Sequence, residues 1–251
     1  MTAIAEISLE GVAKWFPPTA TRAEFRAVDG LSLDIARGEM VALLGKTGCG
    51  KSTTFNLIAG LIAPSQGSVR VQGLDPFREF DALRGKIAVV FQSDRLLPWR
   101  TAIGNVELGL EMLDRPPKER HEAAQHWLVR LGLSGHEHDF PHALSGGMRQ
   151  RVSIARALAT DANILLCDEP FSALDEITGQ RLREDFAALV RENRKTAVFI
   201  THSINEALQL GDRVIVMTRP ARIAYDVRLE AERRATNDGA IRARIEEILA
   251  A

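Results

Sequence analysis

The sequence has little of what marks secreted chains. It contains only two cysteines, Cys49 and Cys167, so it offers no disulfide framework and fits a reducing compartment. Its first residues lack the positive start and the apolar run of a secretory signal. We therefore expect the chain to remain in the cytoplasm.

Long apolar runs and an excess of one charge are also absent. Apolar stretches such as 40–44 and 164–167 are far shorter than the roughly 18 residues that a membrane-spanning helix needs. Lysine and arginine total 32 against 33 acidic residues, and the two signs are interspersed. This balance gives no indication of binding to nucleic acid or to an anionic membrane surface. If the protein serves a membrane, a partner must attach it.

The chain does have a regular alternation of short apolar segments with helical patterns. Strands buried on both faces are brief runs of Val, Ile and Leu, and their alternation with helices predicts an α/β fold with a parallel sheet. The predicted strands of this kind are 39–44, 87–91, 164–167, 197–201 and 213–217. Nearer the start, an alternation of apolar and polar residues predicts half-exposed antiparallel strands at 7–10, 31–35 and 68–71.

The middle of the chain lacks a good strand from about 93 to 160. Two stretches there carry helical spacing, at 118–131 and 147–158, so we predict an inserted helical subdomain. The whole chain is then a single domain. Its β subdomain and core cover about 1–92 and 161–230, and an amphipathic helix ends the chain at about 239–250.

A phosphate-binding loop is predicted directly after the strand at 39–44. The pattern G-x-x-x-x-G-K-S/T is matched by Gly45, Lys46, Thr47, Gly48, Cys49, Gly50, Lys51 and Ser52, and a helix should begin near Thr53. Glycines let backbone N–H groups turn toward phosphate oxygens, Lys51 reaches the β and γ phosphates, and Ser52 binds magnesium. The alternative is a glycine-rich turn that caps an ordinary helix. The Cys49 thiol should be partly open and prone to modification in such a loop.

Two carboxylates end the apolar run at 164–167, where an open α/β sheet binds its ligand. Asp168 suits a magnesium ligand, and Glu169 could polarise the water that attacks the γ phosphate. His202, after the strand at 197–201, could bond the same phosphate. On their own, two acids at a strand end can be turn residues, and a lone histidine is more often structural.

The stretch Leu144-Ser-Gly-Gly-Met-Arg-Gln150 narrows the class of protein. Ser145 could be a plain helix N-cap, but with the other motifs in order the chain strongly resembles an ABC transporter ATPase from Ile7 to about Leu229. The resemblance implies a P-loop NTPase (RecA-like) core that uses ATP and Mg²⁺. It also implies that Ser145, Gly146 and Gly147 contact ATP held by an opposite subunit, which is a second copy or a paralogous ATPase.

Further roles follow from the resemblance one position at a time. Gln92 matches the glutamine that touches magnesium and water, and His202 matches the switch histidine. Asp175, at the end of 172–175, matches the loop that links the two sites across the dimer. Phe16 matches the aromatic that stacks on adenine, although neighbouring Trp15 leaves the register open.

A narrower likeness is carried by Leu96-Leu-Pro-Trp-Arg-Thr101, followed by Asn105 and Val106. It is similar to the ATPases of nitrate, taurine and aliphatic sulfonate importers, in which this segment lies beside the groove for the permease. Trp99 could instead be a packing residue. The resemblance implies a bacterial importer subunit held at the cytoplasmic face of the membrane by a permease, with a substrate-binding protein as an indirect partner.

Three competing functions remain on the sequence alone. A DNA-maintenance ATPase would need long heptad insertions, and a translation factor of the same superfamily would have two cassettes. Neither feature is present in the sequence. A P-loop metabolite kinase would explain 45–52 but would leave 144–150, Gln92 and His202 without a role.

Overall fold

The computed structural model describes residues 5–18, 23–172, 176–229 and 238–250. The chain divides into two compact units. The first unit combines Met1–Leu83 with Arg194–Ala251, and the second is Arg84–Asn193. The predicted fold class is confirmed: an α/β protein with a parallel-sheet core and an antiparallel β subdomain.

The elements are numbered in chain order. The strands are β1 (Ile7–Phe16), β2 (Phe25–Ile35), β3 (Met40–Gly45), β4 (Gln66–Val71), β5 (Ile87–Val90), β6 (Ile164–Asp168), β7 (Thr196–Thr201), β8 (Arg213–Thr218) and β9 (Arg222–Arg228). The helices are α1 (Lys51–Ile58), α2 (Ala102–Glu111), α3 (Pro117–Arg130), α4 (Gly146–Ala159), α5 (Glu176–Glu192), α6 (Ile204–Leu210) and α7 (Asp238–Ala250).

The first unit contains an antiparallel sheet in the order β2-β1-β4. Leu9 on the middle strand pairs with Leu33 on one side and Val69 on the other, and all three side chains are buried. The polar residues that alternate with them face away from this core, as the period of two requires.

The same unit contains the parallel strands that position the phosphate loop. β3 is buried along its whole length and pairs in parallel with β7 and with β8. β9 pairs antiparallel to β8, and its residues alternate between exposed and half-buried. Because β3 ends at Gly45, the loop that follows lies at the carboxyl end of a parallel strand, where α/β sheets bind ligands.

The second unit pairs β5 with β6 in parallel and packs α2, α3 and α4 together. α2 was not located from the sequence, because two glycines within it weaken its helical propensity. Thr101 caps its start by accepting from the N–H of Gly104. In the ranges that the structure describes, no helix is long and apolar enough to cross a bilayer.

Candidate functional site

The phosphate loop lies between β3 and α1 in the first unit. Gly50 has a φ of 110°, a left-handed value that side chains disfavour. A Cβ there would lie 2.4 Å from the Ala27 oxygen and 2.6 Å from the Ala221 Cβ. At Gly45, a Cβ would lie 2.5 Å from the Met217 oxygen. Both glycines are therefore required by close packing of the loop against neighbouring backbone.

Lys51 lies folded against this loop and is only 7% exposed. Its Nζ donates to the Gly45 carbonyl at 2.6 Å and to the Lys46 carbonyl at 3.1 Å, and it lies 3.9 Å from the Cys49 sulfur. The ammonium is thus held at the loop by carbonyl oxygens, which a phosphate oxygen can replace as a stronger, charged acceptor.

The donors of the loop suit a phosphate group. Over the residues that the structure describes, the backbone N–H groups of Gly48, Gly50 and Lys51 have no acceptor in the protein. They lie at the start of α1, where the helix dipole also favours an anion. Ser52 follows with an exposed side chain. The fit to the phosphates of a nucleotide is therefore good in both charge and donor number.

The expectation of a partly open thiol in this loop is wrong. Cys49 is only 3% exposed, because the loop folds over it and its sulfur lies close to Gly45. Cys167 in β6 is fully buried, and burial, with a further contribution from the Asp168 charge, raises the pKa of its thiol to about 12. Both cysteines are free and buried, so neither is exposed to modifying reagents.

Two aromatics end β1, and their surroundings differ. Phe16 is 38% exposed, pairs across the strands with Phe25, and has the Lys14 ammonium 5.3 Å from its ring centre. Trp15 is half-buried, with the Arg26 guanidinium 5.9 Å from its ring. Phe16 is therefore the more accessible of the two rings for stacking on a base.

His202 follows β7 directly and is exposed. The residues around it are fixed by hydrogen bonds: the Thr201 hydroxyl donates to Glu206 at 2.6 Å, and Ser203 caps α6 by accepting from the Glu206 N–H. His202 thus lies in a short, well-held connection between a buried strand and a helix start.

The second unit brings two of the predicted catalytic residues together. Gln92 donates from Nε2 to the Glu169 carboxylate at 3.0 Å. Glu169 has a φ of 47°, a left-handed value that is rare outside glycine and typical of functional turns. Asp168 ends β6 immediately before this turn and is half-buried. Asp175 lies outside the described residues.

The magnesium ligands expected from the sequence are Ser52, Gln92 and Asp168. Among the described residues there is no group of three His, Cys, Asp or Glu side chains that could hold a metal ion on their own. Mg²⁺ bound with a nucleotide needs only one or two protein ligands, since phosphates and water complete its shell. A hydroxyl, an amide and a carboxylate are oxygen donors of the right kind.

The start of α4 is capped by a side chain. The Ser145 hydroxyl accepts from the Met148 N–H at 3.2 Å, so this residue is the N-cap. Ser145 is exposed, and Gly146 and Gly147 are half-exposed. Their two N–H groups have no acceptor within the described part of the protein. This end of the helix can therefore receive an anion in addition to its cap.

Sequence reasoning missed the residues that hold the segment after Gln92. Arg149 donates to the Asp94 carboxylate at 2.9 Å, and Arg156 donates to the Asp94 and Arg95 carbonyls. Desolvation of the half-buried Arg156 lowers its pKa. The only available signal was the spacing of the two arginines along α4.

The side-chain amide of one buried residue, Asn105, holds the loop 96–101 in its conformation by hydrogen bonds. Asn105 is 0% exposed; it accepts from the Leu97 N–H at 2.7 Å and donates to the carbonyls of Leu97, Arg100 and Thr101. Trp99, at the turn of this loop, is 71% exposed, which excludes core packing. Arg100 is bonded to Glu111 at 2.6 Å and lowers the pKa of that carboxyl.

The fold and the loop together define a P-loop nucleotide-binding protein. Residues 28–172 match the ABC transporter family. The chain is 41% identical over 229 residues to the uncharacterized ABC transporter ATP-binding protein MJ0412 of Methanocaldococcus jannaschii, a match that covers 91% of this chain and 84% of that protein. It is 45% identical over 192 residues to the taurine import ATP-binding protein TauB of Yersinia pestis, covering 76% and 74% respectively.

A solved structure is also similar. The dimeric post-hydrolysis state of the ATP-binding cassette MJ0796, bound to ADP and Pi, matches with a TM-score of 0.81 at 35% identity, over 90% of this chain and 99% of that one. This chain belongs to the ABC transporter family, as an ATP-binding ATPase subunit. The predicted family, ATP binding and ATPase activity are thereby confirmed.

Proposed function

We propose that this chain hydrolyses ATP as one half of a pair of ATPase subunits that drives import through a membrane permease. The observation that carries the proposal is the presence of two separate anion sites. One is the phosphate loop with the buried Lys51, and the other is the start of α4 at Ser145. A single chain with two such sites suits an ATP that is shared between subunits.

The phosphate loop holds the nucleotide in this proposal. Backbone N–H groups from Gly45 to Thr53, including those of Lys46 and Thr47, surround the β and γ phosphates. The Cys49 N–H, which donates to the Lys46 carbonyl at 3.2 Å, and the Lys51 ammonium exchange their carbonyl partners for phosphate oxygens. Phe16 stacks on the adenine. The Lys14 ammonium over the Phe16 ring places a positive charge beside that surface.

The catalytic groups act on the γ phosphate. Ser52, Gln92 and Asp168 hold magnesium, which when bound neutralises charge on the phosphates. Glu169 accepts a hydrogen bond from the attacking water and polarises it. Gln92, which bonds Glu169 at 3.0 Å, keeps that carboxylate oriented. His202 donates to the γ phosphate.

In this proposal the start of α4, residues 145–147, completes the ATP site of the partner subunit. Ser145, Gly146 and Gly147 present a hydroxyl and two N–H groups to the γ phosphate of the ATP bound by the other subunit, and Asp175 links the two sites. The partner is a second copy or a paralogous ATPase subunit. The dimeric MJ0796 cassette supports this arrangement.

Trp99 and the loop 96–101 form the surface that meets the permease. An exposed tryptophan on a loop fixed by Asn105 is a rigid aromatic anchor of the kind that interfaces favour. The subunit is then held at the cytoplasmic face of the membrane, and a substrate-binding protein delivers the solute. The likeness to TauB and the segment 96–101 favour a small sulfonate such as taurine, or a similar anion such as nitrate.

The test is the Glu169→Gln variant. General-base catalysis typically raises a reaction rate by roughly 10²–10⁴-fold. Removing the charge that polarises water should therefore lower the ATP turnover rate by about two orders of magnitude or more. Binding should persist, so ATP should stay trapped and convert a monomer at low concentration into a dimer. Turnover assays and gel filtration with and without ATP measure both effects.

Adding Ser145→Arg to Glu169→Gln gives the control, since a bulky cation at the helix start should block the dimer while leaving ATP binding intact. Normal turnover in Glu169→Gln would refute the role of Glu169. A Glu169→Gln protein that stays monomeric at saturating ATP would refute the shared site.

A further inference from the structure

Two arginines of α4 donate hydrogen bonds to the segment that follows Gln92. Arg149 donates from Nε to Asp94 Oδ2 at 2.9 Å, and Arg156 donates to the carbonyl oxygens of Asp94 at 2.8 Å and Arg95 at 2.9 Å. Positions 149 and 156 are about two helical turns apart, so both side chains leave the same face of α4. That face of the helix is therefore attached to the catalytic segment at three acceptor atoms.

Arg149 also donates a hydrogen bond to the residue directly before Ser145, at the start of α4. A second nitrogen of its guanidinium, Nη1, donates to the carbonyl of Leu144 at 2.8 Å, directly before the N-cap Ser145. The guanidinium is planar and rigid, so its bonds to Asp94 and to Leu144 are linked in geometry. A shift of Leu144 relative to Asp94 must break or bend one of them.

A contact between the residues on either side holds the segment that carries Gln92 and Asp94. Arg95 has a left-handed φ of 47°, and its guanidinium lies 3.6 Å from the centre of the Phe91 ring. Gln92 in turn bonds Glu169. The Arg149 and Asp94 side chains are 36% and 29% exposed, so their ion pair is less screened by solvent than a surface pair. Because Gln92 and Asp94 lie two residues apart in this held segment, we expect a displacement of Asp94 to displace Gln92 as well.

We propose that the Arg149–Asp94 ion pair couples the two ATP sites of the dimer. This inference rests on the proposed function, in which Ser145 contacts the ATP of the partner while Gln92 and Glu169 act on the ATP of their own chain. ATP that contacts Ser145 favours one position of the Leu144 carbonyl. Through its bonds to Leu144 and Asp94, Arg149 then sets the position of the Gln92–Glu169 pair. Hydrolysis at one site then depends on occupancy of the other, and Arg149 is a positioning residue.

The test is ATP hydrolysis by the full chain as a function of ATP concentration. Two coupled sites give a Hill coefficient between 1 and the number of sites. Asp94→Asn and Arg149→Gln should each bring it close to 1, and the double variant should do no more than either single, since all three lose the same ion pair. General loss of stability would not predict this pattern.

The matched control is Arg151→Gln. This arginine lies on the same helix, but its Nη1 donates to the carbonyls of Leu131 and Gly132. The Hill coefficient should stay at its wild-type value in Arg151→Gln. An equal fall in that variant would assign the effect to α4 as a whole and overturn the coupling.

Two further results would overturn the inference: a wild-type Hill coefficient of 1, or unchanged cooperativity in both Asp94→Asn and Arg149→Gln. The ATP-induced dimer of Glu169→Gln, with and without Asp94→Asn, separates this outcome from failure of the proposed function. If the dimer forms in both proteins and cooperativity does not change, only the coupling is wrong. If Glu169→Gln alone fails to dimerise, the shared site itself is wrong.

Discussion

The phosphate loop and the start of α4 both offer backbone N–H groups to an anion, but the chain holds them in place differently. The loop is set by glycines pressed against neighbouring backbone and by a buried lysine. The start of α4 is set by side chains, namely the Ser145 cap and the Arg149 bond to Leu144. The shape of the loop therefore depends on contacts of its backbone, whereas the shape of the helix start depends on hydrogen bonds made by side chains.

The largest effect should come from the lysine of the loop. Lys51→Ala removes its fixed cation, and hydrogen bonds to charged groups contribute about 1.5–3 kcal/mol each, so ATP affinity should fall by about a hundredfold or more. Calorimetric titration with ATP measures this. Lys118→Ala, which removes a lysine side chain that is 87% exposed on α3, should bind normally. Equal affinities for the two variants would mean that the loop is not the phosphate site.

A smaller change, in the free energy of unfolding, should distinguish the cost of tight packing in the loop from the cost of its left-handed backbone. Gly50 and Gly48 both have positive φ, but a Cβ at Gly48 would meet nothing within 4 Å. Gly50→Ala should therefore lower the free energy of unfolding by about 1–3 kcal/mol more than Gly48→Ala does, because it alone adds an overpacking term. Urea unfolding of both variants decides this. Equal stabilities would show that the loop can move away from Ala27 and Ala221.

The smallest change in stability is expected at the start of α4. Ser145→Ala and Thr101→Ala each remove one N-cap bond, from α4 and from α2, and each should cost about 1 kcal/mol of unfolding free energy. Introduced into Glu169→Gln, only Ser145→Ala should also weaken the ATP-induced dimer, by about tenfold or more. Equal dimerisation of the two double variants would leave Ser145 as a cap and nothing else.

Much of the fold could be predicted because its signals are local. Five buried strands and three alternating ones followed from the period and length of apolar runs, and the observed bounds of the five buried strands differ from the predicted ones by at most one residue at either end. β9 was missed although its sequence alternates as a half-exposed strand does: Ile223, Tyr225 and Val227 are half-buried and the residues between them are exposed. The loop 45–52 was found because its chemistry needs particular residues at fixed spacing.

The parts of the site that could not be predicted depend on contacts between distant positions. The Arg149–Asp94 bond joins residues 55 positions apart, and the buried Asn105 bonds to Leu97, eight residues earlier in the loop 96–101. The burial of Cys49 depends on how tightly the loop closes over it, which spacing does not reveal. Motifs therefore locate the groups that touch a ligand, while the groups that hold them in place emerge only from the structure.

The packing around Gly50 also has a genetic consequence. Every single-base change that alters the meaning of a glycine codon gives a stop or a residue with a Cβ. At Gly50 any Cβ lies 2.4 Å from the Ala27 oxygen and 2.6 Å from the Ala221 Cβ. Only synonymous changes at this codon keep the loop as it is, so the nucleotide sequence can drift there in one position of the triplet alone.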